Sequence, residues 1–159
     1  MSRLPTCPIL VSLIALGVAA SACRQARLSP EQRVRQAIDV VVKAVRERDI
    51  KPVAATVSAE YSDREGNDKK QIVSQVRLQF LLHPNLYLYA KITSVECPEP
   101  IQAQVVVYAA MASVPAGVVP DLRALSADVY RFDLTLIDED GTWRVRRAEW
   151  TPAIAKDLL

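Results

Sequence analysis

Histidine, glycine and cysteine are scarce in this sequence, and their scarcity excludes several kinds of chemistry. The 159 residues include one histidine, four glycines and three cysteines. Cys7 and Cys23 lie in the N-terminal segment at 1–23, so the rest of the chain offers one histidine and one cysteine, too few to build a soft-metal site. The chain also lacks the Gly-x-Ser-x-Gly, His-Glu-x-x-His and glycine-rich phosphate-binding patterns. We therefore expect no metal and no cofactor.

An excess of charge of one sign is also missing. The formal net charge is +2 at pH 7, and 24% of the residues are charged. A balance this close to zero gives no electrostatic case for binding nucleic acid. The length is typical of one domain, and no internal repeat or low-complexity segment divides it. We expect a single globular domain that does not bind nucleic acid.

The N-terminus has the pattern of an export signal. Arg3 precedes an apolar run from Ile9 to Ala20, which is shorter than the about 20 residues that a membrane-spanning helix needs. Small residues then lead directly into Cys23. This pattern resembles the lipobox of bacterial lipoproteins, although Ala20 stands where leucine is usual. The alternative is a simple secretory signal cut after Ala20 or Ala22.

The lipobox resemblance implies three segments: a signal peptide at 1–22, a lipidated tether at 23–29 and a domain at 30–159. Lipid on Cys23 would tether the exported chain to the bacterial cell envelope, so the membrane is one expected partner. Arg24, by the usual sorting pattern, implies the outer membrane and a domain that faces the periplasm. Cys97 is then the one remaining thiol, and we expect it half-buried in a turn.

Helical patterns fill the first half of the domain. The first helix should begin with a Ser29–Gln32 capping box that includes Pro30 and end near Arg48. A short second helix is expected at 50–57, capped by Asp49. A third should begin after Asp68, which caps it, and Gln71 should complete a second capping box. Its expected inner face carries Ile72, Val73, Val76, Phe80 and His83.

From Leu86 onwards the hydrophobic pattern alternates, which predicts strands. Four strands are expected, and a loop at 114–125 separates the second from the third. Residues 139–141, Glu-Asp-Gly, predict a tight hairpin turn between the last two strands. The strands are expected at 86–96, 101–112, 126–138 and 142–150.

The order and spacing of several short motifs resemble the nuclear transport factor 2-like superfamily. These are Asp49 before the second helix, Tyr61-Ser62-Asp63 and Gly66 before the third, the final hairpin at 140–145 and Trp150 at the end of the last strand. The resemblance covers roughly residues 30–152. It implies an α+β fold in which three N-terminal helices pack in a curved four-stranded antiparallel sheet, a cone-like α+β barrel or cystatin-like roll. The superfamily includes isomerases, dehydratases and non-catalytic binding domains, so the fold alone sets no function.

Polar residues that point into the cone are the candidates for a site. Asp128, Tyr130 and Phe132 share one face of the third predicted strand by alternation. A carboxylate on an apolar face could act as a base, with Tyr61 or Tyr130 as an oxyanion donor. The alternative for Asp128 is an ordinary solvated position at the start of its strand. Tyr61 and His83 complete the candidate ligand pocket, although Tyr61 could be a core residue with a satisfied hydroxyl and His83 could simply lie at a helix end.

These residues support three hypotheses. The leading one is a non-catalytic binding or assembly module at the envelope, for a protein, a peptide or a small apolar ligand. The alternative is a small-molecule isomerase or dehydratase that uses acid–base residues in the cone, for which Asp128 should be buried in a deep pocket. The third is a homodimer that pairs through the outer sheet face, which an exposed row of Val106, Tyr108 and Val129 would favour.

Overall fold

A computed structural model of the chain describes residues 28–113 and 128–158. The predicted leader, Cys23 and the loop at 114–125 lie outside the described residues. No helix within the described ranges is long and apolar enough to cross a bilayer.

The first helix, α1, spans Pro30–Glu47. Its predicted start is confirmed, because the Ser29 side chain accepts a hydrogen bond from the Gln32 backbone and Gln32 reciprocates. Arg48 ends the helix in the left-handed conformation, with φ of 55°. Val34, Ile38 and Ala44 form the buried face of α1.

Two further helices follow. Helix α2 spans Ile50–Thr56, and its Asp49 cap accepts a hydrogen bond from the Lys51 backbone. Helix α3 spans Lys69–Leu82 and begins with the predicted Asp68–Gln71 capping box. None of the α3 residues is fully buried. The expected inner side chains Ile72, Val73, Val76 and Phe80 are half-buried, and His83 is exposed at the C-terminal end.

Five strands form one mixed sheet. They are β1 (Val57–Asp63), β2 (Leu86–Glu99), β3 (Gln102–Ser113), β4 (Asp128–Glu139) and β5 (Thr142–Ala153). Their order is β1-β5-β4-β3-β2, so β1 and β2 are the two edges of an open sheet. Strands β2 to β5 form the predicted antiparallel meander. A short 3₁₀ helix, η1, at Ala155–Leu158 contacts β3.

The predicted α+β architecture is confirmed, and the predicted strand count of four is corrected to five. Residues 57–63 form β1, which pairs in parallel with β5. Its burial does not alternate: Val57 and Ser58 are both buried, followed by two exposed residues. The period-2 pattern that identifies a strand is therefore absent from this segment.

The hairpin between β4 and β5 has the predicted geometry. Asp140 and Gly141 have φ values of 52° and 83°. Two successive positive φ angles are those of a type I′ turn, whose twist matches that of the flanking strands. Bulges in β2 and at Thr135/Leu136 add local twist to the sheet.

The main hydrophobic core lies between α1 and the inner face of the sheet. Val34 and Ile38 of α1 pack with inner residues of the strands: Ala103, Val105, Val107, Leu136 and Trp143. At the hairpin end, Arg33 forms an ion pair with Asp138 at 2.9 Å and lies over the Trp143 ring. The side chains of this core are buried from solvent.

Candidate functional site

A cleft of about 620 Å³ lies between α3 and the inner face of the sheet. Ile72 and Val76 line it from α3, and Leu86 and Met111 line it from β2 and β3. The cleft is open because α3 does not pack closely on the sheet, so its inner side chains are only half-buried. Helix α1, by contrast, covers its part of the sheet. The volume falls within the range of roughly 300–1,000 Å³ that is common for small-molecule sites.

Three aromatic rings line the sheet side of this cleft. Tyr130 and Phe132 are two residues apart on β4, so their side chains share one face. Trp150 of β5 pairs directly with Phe132 in the strand register. Each neighbouring pair of ring centroids is 6.4 Å apart with tilted planes. Such a row gives a continuous apolar floor on which a flat ring or an alkyl chain can lie.

Polar groups of the cleft come from both walls. Gln75, Gln79 and His83 contribute from the α3 side, and Asp128 contributes from the start of β4. Asp128 and His83 are both exposed. The structure thus brings together four of the predicted pocket residues, namely His83, Asp128, Tyr130 and Phe132. Their arrangement is an apolar floor with polar groups near solvent.

Tyr61 lies outside the cleft. It is buried in a second core cluster with Val57 and Ala148, beneath α3. Its hydroxyl lies 3.5 Å from Asp63 Oδ2. Burial, reinforced by the Asp63 charge, raises the pKa of Tyr61 above its ordinary range. Tyr61 is therefore a core residue that does not line the cleft.

Asp63 holds the loop between β1 and α3. Its Oδ1 accepts hydrogen bonds from the backbone N–H groups of Glu65 and Asn67, each at 2.9 Å. Its Oδ2 accepts a third from the Asn67 side chain at 2.9 Å. Burial acts to raise the pKa of Asp63, but the hydrogen bonds from Asn67 and Glu65 outweigh it, so the pKa is lowered. The loop sets where α3 begins and hence where the cleft wall stands.

A second polar cluster ties β1 to the final hairpin. The Ser58 hydroxyl donates to Glu139 at 2.5 Å, and Arg144 forms an ion pair with the same carboxylate. These two hydrogen bonds lower the pKa of Glu139. Arg144 also donates to the Ala55 carbonyl. The cluster fastens the parallel edge strand, and none of its residues lines the cleft.

The outer face of the sheet carries charge next to the row proposed for dimerisation. Val129 is buried, whereas Val106 and Tyr108 are half-buried. In the strand register, Val106 lies opposite Asp133, and Tyr108 lies opposite Arg131. Arg131 and Asp133 form an ion pair at 2.6 Å. Homodimerisation through this face stays a prediction.

Cys97 is exposed, not half-buried as expected. It lies near the end of β2, where the pairing with β3 is interrupted between Glu96 and Glu99. The irregular pairing turns this part of the strand towards solvent. Among the described residues, no group of three or more His, Cys, Asp or Glu side chains could hold a metal ion.

Several cleft residues were missed by the sequence reasoning. Met111 lies opposite Asp128 in the β3–β4 register, and Leu86 begins β2. Gln75 and Gln79 face the cleft from α3, one helical turn apart. Alternation along β3 could have indicated Met111 once the strand register was known. Nothing in the sequence signalled the two glutamines.

Comparison with known proteins supports the architecture. No protein-family model matches the chain, and no curated protein matches it by sequence. Solved structures do match. A candidate scytalone dehydratase from Novosphingobium aromaticivorans superposes with a TM-score of 0.64 at 10% identity, over 77% of this chain and 83% of that one.

Two further structures agree. A ketosteroid isomerase-like protein from Erwinia carotovora atroseptica gives a TM-score of 0.59 at 15% identity, covering 78% of this chain and 96% of that one. An uncharacterised protein with a cystatin-like fold from Caulobacter vibrioides gives 0.58 at 16% identity, covering 79% and 91%. The chain therefore has the nuclear transport factor 2-like, or cystatin-like, fold that the sequence predicted. At these identities the likeness concerns the fold and not the activity.

Proposed function

We propose that this chain is an envelope lipoprotein whose domain binds a small apolar molecule in the cleft without transforming it. The observation that carries the proposal is the row of Tyr130, Phe132 and Trp150 beneath an open cleft. Apolar floors with a few polar groups are the usual construction of small-molecule sites. The neighbouring aromatic rings favour a ligand with a flat ring system.

The exposure of the polar groups supports binding over catalysis. A catalytic carboxylate gains reactivity when burial raises its pKa towards the working pH. Asp128 is exposed at the start of β4. The buried carboxylate of this region, Asp63, is held by three hydrogen bonds that lower its pKa, and it lies outside the cleft. A ligand would therefore contact exposed hydrogen-bonding groups, and no buried carboxylate, among the residues that line the cleft.

Dye binding tests the proposal, with two variants on one helix as a matched pair. Every described helix and strand lies after Leu28, so the chain from Arg24 onwards, exported with a cleavable leader, contains the described fold. The neutral dye N-phenyl-1-naphthylamine is titrated, and energy transfer from tryptophan is measured. Val76→Asp places a charge in the cleft and should abolish binding. Leu81→Asp, on the exposed side of α3, should leave binding unchanged.

Two controls make this titration specific. Trp150 lines the cleft, whereas Trp143 is buried in the main core. Trp150→Phe should therefore reduce the energy transfer more than Trp143→Phe does. If Val76→Asp and Leu81→Asp weaken binding equally, the dye binds elsewhere and the assignment of the cleft fails.

The lipid anchor has its own test. The lipobox-like sequence that ends at Cys23 supports the anchor. Several acyl chains on that residue would attach the protein stably to a membrane. The intact mass of the protein isolated from membranes should equal the chain from Cys23 onwards plus acyl groups. The Cys23→Ser variant should lack that added mass. A wild-type mass without acyl groups would refute the anchor and leave the cleft proposal standing.

The convergence of Asp128, Tyr130 and His83 on one cleft supports a second candidate function, an acid–base isomerase or dehydratase. Asp128 would take a proton from the substrate, and Tyr130 would stabilise the resulting oxyanion. An Asp128→Asn change separates the two functions. It should leave dye affinity within about twofold if the cleft only binds, and it should abolish turnover of any substrate if the cleft catalyses.

A further inference from the structure

Helix α3 carries a second group of apolar side chains, which does not line the cleft. Leu78, Leu81 and Leu82 lie in its last turn and are 51%, 74% and 60% exposed. Their spacing of three and four residues places them side by side on the helix surface. Single exposed leucines are common, but three adjacent ones at one helix end form a patch.

The adjoining exposed side of α3 is basic. Lys70, Ser74, Arg77 and Leu81 recur at intervals of four, three and four, so they form one exposed row. Lys70 and Arg77 have no ion pair or hydrogen bond from their side chains within the described part of the chain. Lys69 lies beside them, with its ammonium held by the Val57 carbonyl at 2.6 Å. Helix α3 itself contains no acidic residue.

Charge decides which occupant suits this surface. A second copy of α3 would bring like-charged rows together and disfavour pairing. Asp68 lies in the same groove as the three cations, and its carboxylate is already occupied in capping α3. Unpaired cations beside exposed leucines match an anionic bilayer: the leucines enter the acyl boundary and the cations approach the phosphate groups.

We propose that the exposed face of α3, defined by Lys70, Ser74, Arg77, Leu78, Leu81 and Leu82, contacts the surface of an anionic membrane. The contact does not require a ligand in the cleft, because none of these six residues lines the cleft. If Cys23 carries lipid, about five residues separate the anchor from the described domain, a reach of roughly 18 Å. The domain would then remain close enough to the bilayer for α3 to contact it.

Lipid-borne quenching of a label on α3 tests this contact in the chain from Arg24 onwards, which lacks Cys7 and Cys23. Cys97→Ser removes the exposed native thiol, and Ser74→Cys adds one on the α3 face without altering a leucine or a cation. The fluorophore on residue 74 is measured with vesicles of phosphatidylcholine containing phosphatidylglycerol and a quencher-labelled lipid. A matched protein carries the label at Ile101→Cys, which is 60% exposed beyond the end of β2.

We expect strong quenching at position 74, little at position 101 and less at position 74 when phosphatidylglycerol is omitted. Lys70→Gln and Arg77→Gln should each weaken the contact about fivefold, and added salt should weaken it further. Leu81→Asn, which introduces no charge, should weaken it about tenfold. Dye binding in the cleft should survive all three changes.

Three results would overturn the membrane contact. These are equal quenching at positions 74 and 101, quenching that does not depend on phosphatidylglycerol, and quenching unaffected by Leu81→Asn. A label at position 74 that becomes immobile without lipid quenching would indicate a protein partner instead, and it would also refute the proposal. Because the dye titration reports on the cleft separately, failure here is distinguishable from failure of the proposed function.

Discussion

The two long helices use the same sheet in opposite ways. Helix α1 fully buries Val34, Ile38 and Ala44 against the inner face, whereas α3 fully buries none of its residues. Both begin with a capping box, so their local starts are equivalent. The difference is the distribution of apolar side chains, which α1 confines largely to one face and α3 spreads over two. Most of the fully buried core thus lies beneath α1, and the cleft in which we propose binding lies beneath α3.

The largest expected effect lies beneath α1. Leu136 is fully buried in the main core, and its replacement by alanine should lower the free energy of unfolding by about 3 kcal/mol. Leu82 of α3 is 60% exposed, so Leu82→Ala should change the free energy of unfolding by less than about 0.5 kcal/mol. Urea denaturation of the two variants measures the contrast. Similar losses of stability in Leu136→Ala and Leu82→Ala would contradict the difference in packing between α1 and α3.

An intermediate effect is expected where the loop positions α3. Asp63→Asn replaces the charged acceptor of the Glu65 and Asn67 backbone N–H groups with a neutral amide. The free energy of unfolding should fall by about 2 kcal/mol at neutral pH. Because the folded pKa of Asp63 is lowered, its stabilisation is present above the unfolded pKa of about 3.9 and is lost as the pH falls through the folded value.

Denaturation as a function of pH measures this contribution. The stability gap between the wild-type chain and Asp63→Asn should be largest at neutral pH and should shrink in acid. A gap that stays constant from pH 7 to well below the carboxyl range would show that the Asp63 charge is not the cause.

The smallest expected effects concern the two caps. Ser29→Ala and Asp68→Ala each remove one capping acceptor and should cost about 1 kcal/mol. The two changes should affect different parts of the domain. Loss of the α1 cap should lower the free energy of global unfolding, whereas loss of the α3 cap should mainly increase local opening of that helix. Denaturant midpoints and amide exchange together separate the two outcomes. A global loss from Asp68→Ala would mean that α3 is part of the cooperative core.

The sequence predicted best those features that are set by neighbouring residues. The capping boxes at Ser29 and Asp68 and the turn at Asp140–Gly141 all appear where they were expected. Each depends on side chains and φ angles within a few positions, which short-range patterns encode. The face shared by Tyr130 and Phe132 was predictable for the same reason, because alternation along a strand is local.

Features set by distant pairing were not predictable. Strand β1 depends on parallel pairing with β5, in which Val57 lies opposite Val145, far along the chain. The burial of Tyr61 depends on the same pairing, because as part of β1 it packs against Ala148 in the second core cluster, the alternative expected for it. The cleft itself arises from how far α3 stands from the sheet, which is a property of packing and not of any motif.

Amide hydrogen exchange, with and without N-phenyl-1-naphthylamine, tests the central contrast most directly. We expect α1 and β3 to exchange only through global unfolding and α3 to exchange faster through local opening. We also expect the dye to slow exchange in α3 and around Trp150. Equal protection of α1 and α3, or dye protection confined to other elements, would contradict both the division of the domain and the assignment of the cleft.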